Sequence, residues 1–301
     1  MIITLDDTSS AKISAELLRA RRSAGSPAQG MVLTLIVVCE ASDFDDAREA
    51  SIAAGREHPS RILLVVTSGG GPAGLDAEVH IGEGTPGEVV VIRMRGAVAE
   101  HPASVIRPLL LPDSPVVIWW PSTAPHDHTA DELAQLTRRR LTDAAAAPDP
   151  RSALEARSAA YSPGDTDLSW TRLTPWRALL AAALDQYPAT VTAARVEAEE
   201  NNPSAELLAA WLGDRLSVDV TQVTSDGPGI TGVRMTTDSG DIAITRPDGR
   251  LAAYTVPGQP ERRVALKRRD TTELITEELR RMDADVVYEQ TLRALVDGGR
   301  G

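Results

Sequence analysis

The sequence has few of the residues that form covalent cross-links and aromatic cores. Its 301 residues include one cysteine and one phenylalanine, and aromatic residues make up 3% of the chain. The single cysteine, Cys39, excludes an internal disulfide and any zinc site built from cysteines. It follows the apolar run Val32–Val38, which favours a buried, unreactive thiol.

Positive charge is also scarce. The chain has 31 Lys and Arg residues against 43 Asp and Glu residues, a net charge of -12. Such a field repels phosphate backbones and anionic lipid, which disfavours nucleic-acid and membrane partners. No apolar run approaches the roughly 20 residues that a membrane-spanning helix needs, and the first residues lack a signal-peptide pattern. We therefore expect a soluble, cytoplasmic protein.

What the first half does contain is an alternation of apolar runs and amphipathic segments, which is typical of α/β proteins. We predict strands at 2–5, 31–39, 61–67, 75–81, 88–95 and 116–119, and helices at 8–22, from Ser42 to before Pro59, at 98–110, from 129 or 130 to 141, and at 152–160. A loop is predicted from Ser23 to Gly30. The segment 31–67 reads as a right-handed parallel βαβ unit. Residues 1–163 are thus predicted to form a Rossmann-like α/β domain, a mostly parallel sheet with helices on both faces.

The stretch Leu109–Pro121 organises this domain. Pro112 and Pro115 disfavour helix, and the apolar and aromatic residues that follow predict a short, central parallel strand. Trp119 and Trp120 end this strand, at the edge where parallel sheets bind ligands and partners. Because successive strand residues face opposite sides, we expect one tryptophan in the core and the other lining a rim or groove.

A glycine-rich segment, Gly69–Gly74, formally fits the dinucleotide fingerprint G-x-G-x-x-G. The fingerprint needs a helix directly after it, whereas Leu75–Ile81 alternates like a strand. Pro72 also removes a backbone N–H donor, and no acid lies at the required distance. We therefore predict a hairpin or crossover loop at this position.

Two polar clusters follow the tryptophan strand in the first half of the chain. His126, Asp127 and His128 could contribute to a metal site, but their spacing specifies no third ligand, and an exposed loop is the preferred interpretation. Arg138–Arg140 form a dense basic patch near the end of a predicted helix. This patch is interpreted as a solvated helix face or as a surface that binds an acidic partner.

The boundary between two domains is predicted at Ser162–Asp165, where turn residues cluster. Residues 164–301 are predicted to form an α+β domain. Beyond a strand at 191–199 and a helix from Asn202 to Leu212, apolar residues alternate between turns from Val218 to Leu266, which predicts an antiparallel meander. Helices predicted at 271–281 and 286–295 would cover this sheet together with the earlier helix. Near the boundary, Trp170 and Trp176 alternate with Arg172 and Arg177, a pattern that allows cation–π stacking between the domains.

The chain shows no recognisable catalytic motif. It has no G-x-S-x-G, no phosphate-binding loop and no H-E-x-x-H. The acid pairs Glu199–Glu200 and Asp283–Asp285 lie near predicted element ends, where solvated carboxylates are common. The residues alone thus favour a binding or regulatory subunit, with no catalytic, cofactor-binding or metal-binding residue.

The sequence resembles the OpcA family, the glucose-6-phosphate dehydrogenase assembly proteins of actinobacteria and cyanobacteria. The resemblance extends over almost the whole chain and is specific as a combination. It is carried by the segments Met31–Val37, Glu57–Arg61, Leu110–Val117 with Trp119–Pro121, Asp143–Arg151 and Gly164–Arg177.

This resemblance implies a non-catalytic partner that binds glucose-6-phosphate dehydrogenase, promotes its active oligomer and raises its activity in the oxidative pentose phosphate pathway. NADP and glucose 6-phosphate would then belong to the enzyme. Cyanobacterial members are linked to thioredoxin-dependent redox control, which a lone, buried Cys39 disfavours here.

Tryptophan and arginine dominate interface energetics, so we expect them to bind the partner. The predicted contact residues are Trp119, Trp120, Arg151, Trp170, Arg172 and Trp176, with Arg138–Arg140 as secondary candidates. The alternative for the tryptophans near the boundary is packing between the domains. Two other functions stay open: a sugar-phosphate- or nucleotide-binding module or enzyme that uses a crevice beside Trp120 with His126 or Arg151, and a scaffold without allosteric effect.

Overall fold

The computed structural model describes residues 1–24, 30–82, 87–128 and 130–298. It divides the chain into two compact units, each built from three segments. The first unit contains Met1–Pro148, Gly164–Thr166 and Thr271–Ala284, and the second contains Asp149–Pro163, Asp167–Asp270 and Asp285–Gly301. The predicted division has a single boundary between residues 163 and 164. The observed one differs, because each unit also includes short segments from the other side of that boundary. A division into two independently folding domains stays a prediction.

The first unit is built on an eight-stranded, mostly parallel sheet. Its strands are β1 (Ile2–Leu5), β2 (Leu33–Cys39), β3 (Ser60–Ser68), β4 (Gly74–Ile81), β5 (Gly87–Arg95), β6 (Val116–Trp119), β7 (Arg139–Thr142) and β8 (Asp165–Asp167), whose last residue is grouped with the second unit. Their spatial order is β1-β4-β5-β3-β2-β6-β7-β8. Strands β5, β3, β2, β6 and β7 are parallel, while β4 and β1 add an antiparallel edge.

This order confirms the predicted Rossmann-like class. From β5 to β8 the strands follow the sequence 3-2-1-4-5-6 of dinucleotide-binding folds, and the point where the order reverses lies between β2 and β6. The apolar runs of β2 and β3 are buried along almost their whole length, as strands covered on both faces require.

Helices of the first unit are α1 (Ser10–Ala24), α2 (Phe44–Gly55), α3 (Pro102–Ile106) and α8 (Thr271–Glu278). One face of the sheet packs Ile36, Leu63 and Ile118 against Ile13 of α1 in a single hydrophobic cluster. On the other face, Ile62 lies under α2 close to Gly55. The two faces of the sheet are thus both covered by helices.

Two predicted helices are wrong. The segment 98–110 forms only the short helix α3 between two 3-10 turns, because Pro102 and Pro108 interrupt the helical hydrogen bonds. The segment from 129 or 130 to 141 contains a 3-10 turn, Ala134–Leu136, and then strand β7. Thr129 lies outside the described residues. Residues 25–29 of the predicted loop 23–30 also lie outside them. Helix α1 extends through Ala24, the second residue of that predicted loop.

The second unit contains a six-stranded sheet in the order β10-β9-β11-β12-β13-β14. Its strands are β9 (Val191–Ala198), β10 (Val220–Thr224), β11 (Ile230–Thr237), β12 (Gly240–Thr245), β13 (Leu251–Thr255) and β14 (Arg262–Ala265). The antiparallel meander from β11 to β14 is confirmed. β10, however, pairs in parallel with β9 and forms one edge of the sheet.

The helices of the second unit are α4 (Pro150–Ala159), α5 (Leu168–Thr171), α6 (Thr174–Gln186), α7 (Pro203–Leu216) and α9 (Val286–Gly298). α7 packs against β9, β10 and α9. Helix α8 does not cover this sheet as predicted, since it packs against α2 of the first unit. Within the described part of the chain, no helix has the length and apolar character needed to cross a bilayer.

Candidate functional site

The first unit places a potential ligand crevice where β2 and β6 end, since a Rossmann-type sheet binds its dinucleotide there. Glu40 follows β2 directly, and Asp43 stands at the N-cap of α2. The hydroxyl of Ser122, two residues beyond Trp120, donates a hydrogen bond to the Asp43 carboxylate. This bond joins the two segments that would flank a bound pyrophosphate.

The chemistry of this turn does not suit a dinucleotide. A phosphate turn needs glycines for close approach and a helix N-terminus open to an anion. Here the turn after β2 has no glycine, and Asp45 and Asp46 add two carboxylates in the first turn of α2. The four acids at positions 40, 43, 45 and 46 repel phosphate. The residues present therefore do not fit NADP, which Rossmann-type oxidoreductases bind.

The glycine segment Gly69–Gly74 is not a phosphate loop either. It connects β3 to β4, two strands that are separated in the sheet by β5. The predicted crossover loop is confirmed, and strand β4 stands where the fingerprint requires a helix.

Both tryptophans at the end of β6 are buried. Trp119 is 1% exposed and Trp120 is 2% exposed. Trp120 belongs to the hydrophobic cluster that contains Ile118 and Ile13, while Trp119 points to the opposite face of the sheet. The expectation that one of them lines a rim or groove is wrong, because neither side chain reaches the surface.

The arginines at 138–140 do not form a solvated basic patch. Arg139 is 2% exposed, and its guanidinium lies 2.5 Å from the Glu278 carboxylate and bonds the Thr166 hydroxyl. Arg140 pairs with Asp165. Only Arg138 is exposed, and it pairs with Asp283. The prediction of a basic surface fails because β7 turns Arg139 and Arg140 toward acids that are distant in sequence.

The histidine loop holds a buried pair. His128 is 1% exposed, and its Nε2 lies 2.6 Å from Asp165 Oδ2, so the interpretation of this segment as an exposed loop is wrong for His128. Among the described residues, no three His, Cys, Asp or Glu side chains come together as metal ligands.

In the second unit, Trp170 lies at the centre of a buried cluster. Its indole N–H donates to Asp285 Oδ2 at 2.9 Å, its ring packs against Tyr288 at 5.7 Å, and the guanidinium of Arg177 lies 3.7 Å from the centre of the ring. Asp285 also accepts the backbone N–H groups of Val287 and Tyr288, which caps α9. Cation–π stacking is thus present, but Trp170 and Arg177 both belong to the second unit, so the predicted place of this stacking, between the domains, is wrong for this pair.

Trp176 has a similar role in the same unit. It is buried, and the guanidinium of Arg246 lies 5.0 Å from the centre of its ring. Arg246 also donates to the carbonyls of Leu266 and Ile230, each at 2.9 Å. Burial lowers the pKa of Arg246, and the charge of Arg268 lowers it further. Of the six predicted contact residues, the four tryptophans thus have no surface for a partner to cover.

The two arginines of the predicted set are accessible. Arg172 is half-buried, and Arg151 is exposed near the start of α4, where it makes a surface pair with Glu155 at 3.3 Å. Arg151 also lines two adjoining hollows of about 180 and 670 Å³, which share Arg151, Glu206 and Gln222.

These hollows form one feature, here called the β10 groove. Strand β10 and the two residues before it line one side of the groove, through residues 218–220 and 222–224. Arg151, helix α7 and the end of α9 also line it. Five acids also line it: Glu199, Glu200, Glu206, Asp214 and Asp219. Burial raises the pKa of Glu206, against the opposing effect of Arg151. The sequence signal for this groove was limited to Arg151 and the Glu199–Glu200 pair.

Fold and site together define a class of protein: a Rossmann-type unit without a dinucleotide turn, combined with an α+β unit whose sheet has an accessible edge. Comparison of the sequence with family models identifies the family. Two models describe the domains of a glucose-6-phosphate dehydrogenase subunit: the model of its N-terminal domain matches residues 51–159, and the model of its C-terminal domain matches residues 163–292. The chain belongs to this family, OpcA, as its sequence motifs indicated.

Solved structures resemble the chain in fold. A mutant of KijD10, a 3-ketoreductase from Actinomadura kijaniata in complex with TDP-benzene and NADP, has a TM-score of 0.50 at 11% identity, over 88% of this chain and 95% of that chain. An oxidoreductase from Sinorhizobium meliloti has a TM-score of 0.49 at 11% identity, over 89% and 95%. At 11% identity, the similarity to KijD10 concerns the fold alone. No curated protein matches the sequence significantly.

Proposed function

We propose that this chain is a non-catalytic assembly factor and activator of glucose-6-phosphate dehydrogenase, which acts by direct binding that favours the active oligomer of the enzyme. Membership of the OpcA family supports the choice of partner. In this proposal the chain works in the cytoplasm, in the oxidative pentose phosphate pathway, and takes no cofactor of its own.

The observation that carries the non-catalytic part is the turn after β2. In a sheet of Rossmann order, the position of the phosphate site holds Glu40 and Asp43, and the Asp43–Ser122 hydrogen bond joins the two sides of the crevice. In this proposal NADP and glucose 6-phosphate belong to the partner enzyme, as the family membership suggests, and the acidic turn after β2 supports that assignment.

Activation by binding has a thermodynamic condition. The chain shifts the enzyme toward its active oligomer only if it binds that oligomer more tightly than the inactive form. A ratio of ten between the two affinities shifts the equilibrium tenfold, which corresponds to about 1.4 kcal/mol. A scaffold with equal affinity for both forms leaves the rate unchanged.

The test is a titration of the dehydrogenase from the same organism with this chain, at fixed substrate concentration. We expect a saturable rise in rate, together with a larger mass of the mixture by light scattering. A complex without a change in rate contradicts activation and supports the scaffold, while no complex contradicts the whole proposal.

A second titration distinguishes the proposed protein-binding role of this chain from the alternative role of binding a small molecule. Glucose 6-phosphate and NADP are added to the chain alone, and heat and tryptophan fluorescence are recorded. We expect no saturable signal, because Trp120 is part of a closed hydrophobic cluster and the neighbouring turn is acidic. Saturable binding of either compound supports the ligand-binding alternative instead.

A further inference from the structure

Among the described residues, strand β10 has a neighbouring strand on one side of its backbone and none on the other. It lies at the edge of the sheet and pairs in parallel with β9. The carbonyl of Asp219 accepts from Ala194 N at 3.1 Å, and the N–H of Ser225 donates to the carbonyl of Ala198 at 2.7 Å. In a parallel ladder, alternate residues bond the same neighbour. The backbone groups of Val220, Gln222 and Thr224 therefore point away from β9.

The sequence of β10 does not protect this edge. Natural proteins block sheet edges with charged residues, proline or bulges. Residues 220–224 read Val-Thr-Gln-Val-Thr, with no charge and no proline, and four of the five are β-branched. The opposite edge of the same sheet, β14, carries Arg262 and Arg263. One edge is thus protected by charge, and the other is a good template for an added strand.

The surroundings of β10 indicate what could be added. The β10 groove adjoins this strand between residues 218 and 224, so open space lies next to it, and its smaller hollow also reaches Val196 and Ala198 of β9. Five carboxylates and a single guanidinium line the groove. This excess of negative charge favours a segment that carries lysine or arginine.

We propose that an extended, basic segment of the dehydrogenase pairs with β10 as an additional strand and places its cationic side chains over the acids of the β10 groove. This inference rests on the proposed function and specifies its contact surface. Main-chain hydrogen bonds to Val220, Gln222 and Thr224 supply affinity, and the carboxylates select the charge of the segment.

A second copy of this chain suits the groove less well. Pairing of β10 with β10 brings two acidic grooves together in a chain of net charge -12. Like charges face each other in that arrangement, whereas a basic segment gains from the same field.

The first test removes one outward N–H. Gln222→Pro deletes that donor, and a proline is compatible with an edge position whose N–H faces solvent. Gln222→Thr is the matched control, since it changes the side chain but keeps the donor. We expect Gln222→Pro to weaken binding of the dehydrogenase roughly tenfold or more and Gln222→Thr to leave it within about twofold. Thermal unfolding of each variant checks that it is folded.

The second test keeps the backbone and changes the charge. Asp214→Asn with Asp219→Asn removes two carboxylates from the β10 groove, and Asp45→Asn with Asp46→Asn removes two from the first turn of α2. We expect weaker binding and a shallower salt dependence for the groove variant only. This pair of variants remains informative if Gln222→Pro fails to fold.

The outcomes separate this inference from the proposed function. If the wild-type complex forms and neither groove variant weakens it, the β10 inference is overturned while the proposed function stands. If no complex forms with the wild-type chain, both are overturned. If the chain alone forms a dimer that Gln222→Pro dissociates, the β10 groove is a contact between copies and the inference is overturned.

Discussion

Two sheet edges in this protein are both bordered by carboxylates but offer a ligand different groups. In the first unit, the edge formed by the carboxyl ends of β2 and β6 is the usual ligand position of its fold, and it holds acids, buried tryptophans and the Asp43–Ser122 bond. In the second unit, the β10 edge is uncharged, unprotected by proline and bordered by a groove. The edge at β2 and β6, where this fold usually binds a nucleotide, is unsuited to a nucleotide. The β10 edge lacks the charges or proline that usually protect an edge strand.

Comparison of the two edges shows how a Rossmann-type sheet can form without a turn suited to a dinucleotide. The parallel sheet keeps its packing, because that depends on the apolar strands and not on the turn after β2. The acidic turn after β2, which has no glycine, is compatible with that packing. An open strand elsewhere offers main-chain hydrogen bonds, which suit a partner protein.

The largest effect is expected for Trp120→Ala. This side chain fills the hydrophobic cluster of the first unit, so its truncation leaves a cavity and costs about 3–5 kcal/mol of unfolding free energy. Urea unfolding followed by circular dichroism measures the change. A folded variant of unchanged stability that loses partner affinity would instead make Trp120 a contact residue and remove the contrast between the two edges.

The next effect concerns the buried ion pairs at the amino ends of β3 and β5. Glu88 bonds both Arg61, at 2.8 Å, and Arg21. Glu88→Gln leaves two guanidinium groups without their anion and should cost about 3 kcal/mol of unfolding free energy. Glu16→Gln is the control: Glu16 pairs with the exposed Arg19, so the loss should stay below about 1 kcal/mol. Equal losses in urea unfolding would contradict this assignment.

A smaller effect is expected for Arg151→Ala. Arg151 and Glu155 form an exposed pair, so the unfolding free energy should change by less than about 1 kcal/mol. Arg151 is also the one cation among the described residues that line the β10 groove, and its removal makes the groove more acidic. We therefore expect tighter binding of the dehydrogenase at low salt. A direct contact through Arg151 predicts weaker binding, and calorimetric titration distinguishes the two.

The smallest effect is expected for Cys39 at the end of β2. Burial raises the pKa of the Cys39 thiol to about 11, and the charge of Asp43 contributes. Because the neutral thiol dominates at pH 8, alkylation of the folded protein should be slow and should accelerate about tenfold per pH unit up to that pKa. Unfolding in urea should make it fast. Rapid alkylation of the folded chain at pH 7 would favour a redox role.

The sequence is sufficient for the central parallel strands β2, β3 and β6, because their apolar runs carry a strong local signal. It fails at β7, where Arg139 looks like a solvated helical residue and is buried only because Glu278, distant in the chain, neutralises it. The same cause misplaces α8, whose packing against α2 is a long-range contact.

The candidate site was predictable only in part. The Trp170–Arg177 stacking followed from alternating residue types, but its place in the interior did not, since Asp285 and Tyr288 complete it from a distant segment. The β10 edge escaped detection because alternation reveals a strand and not its neighbours. Its uncharged, β-branched composition was the available signal.

Amide hydrogen exchange on the complex with glucose-6-phosphate dehydrogenase tests the contrast between the two edges most directly. The amides of Gln222 and Thr224 should exchange fast in the free chain and become protected in the complex, while exchange in the turn from Glu40 to Asp46 should be unchanged. Protection of that turn, with β10 unaffected, would contradict this expectation.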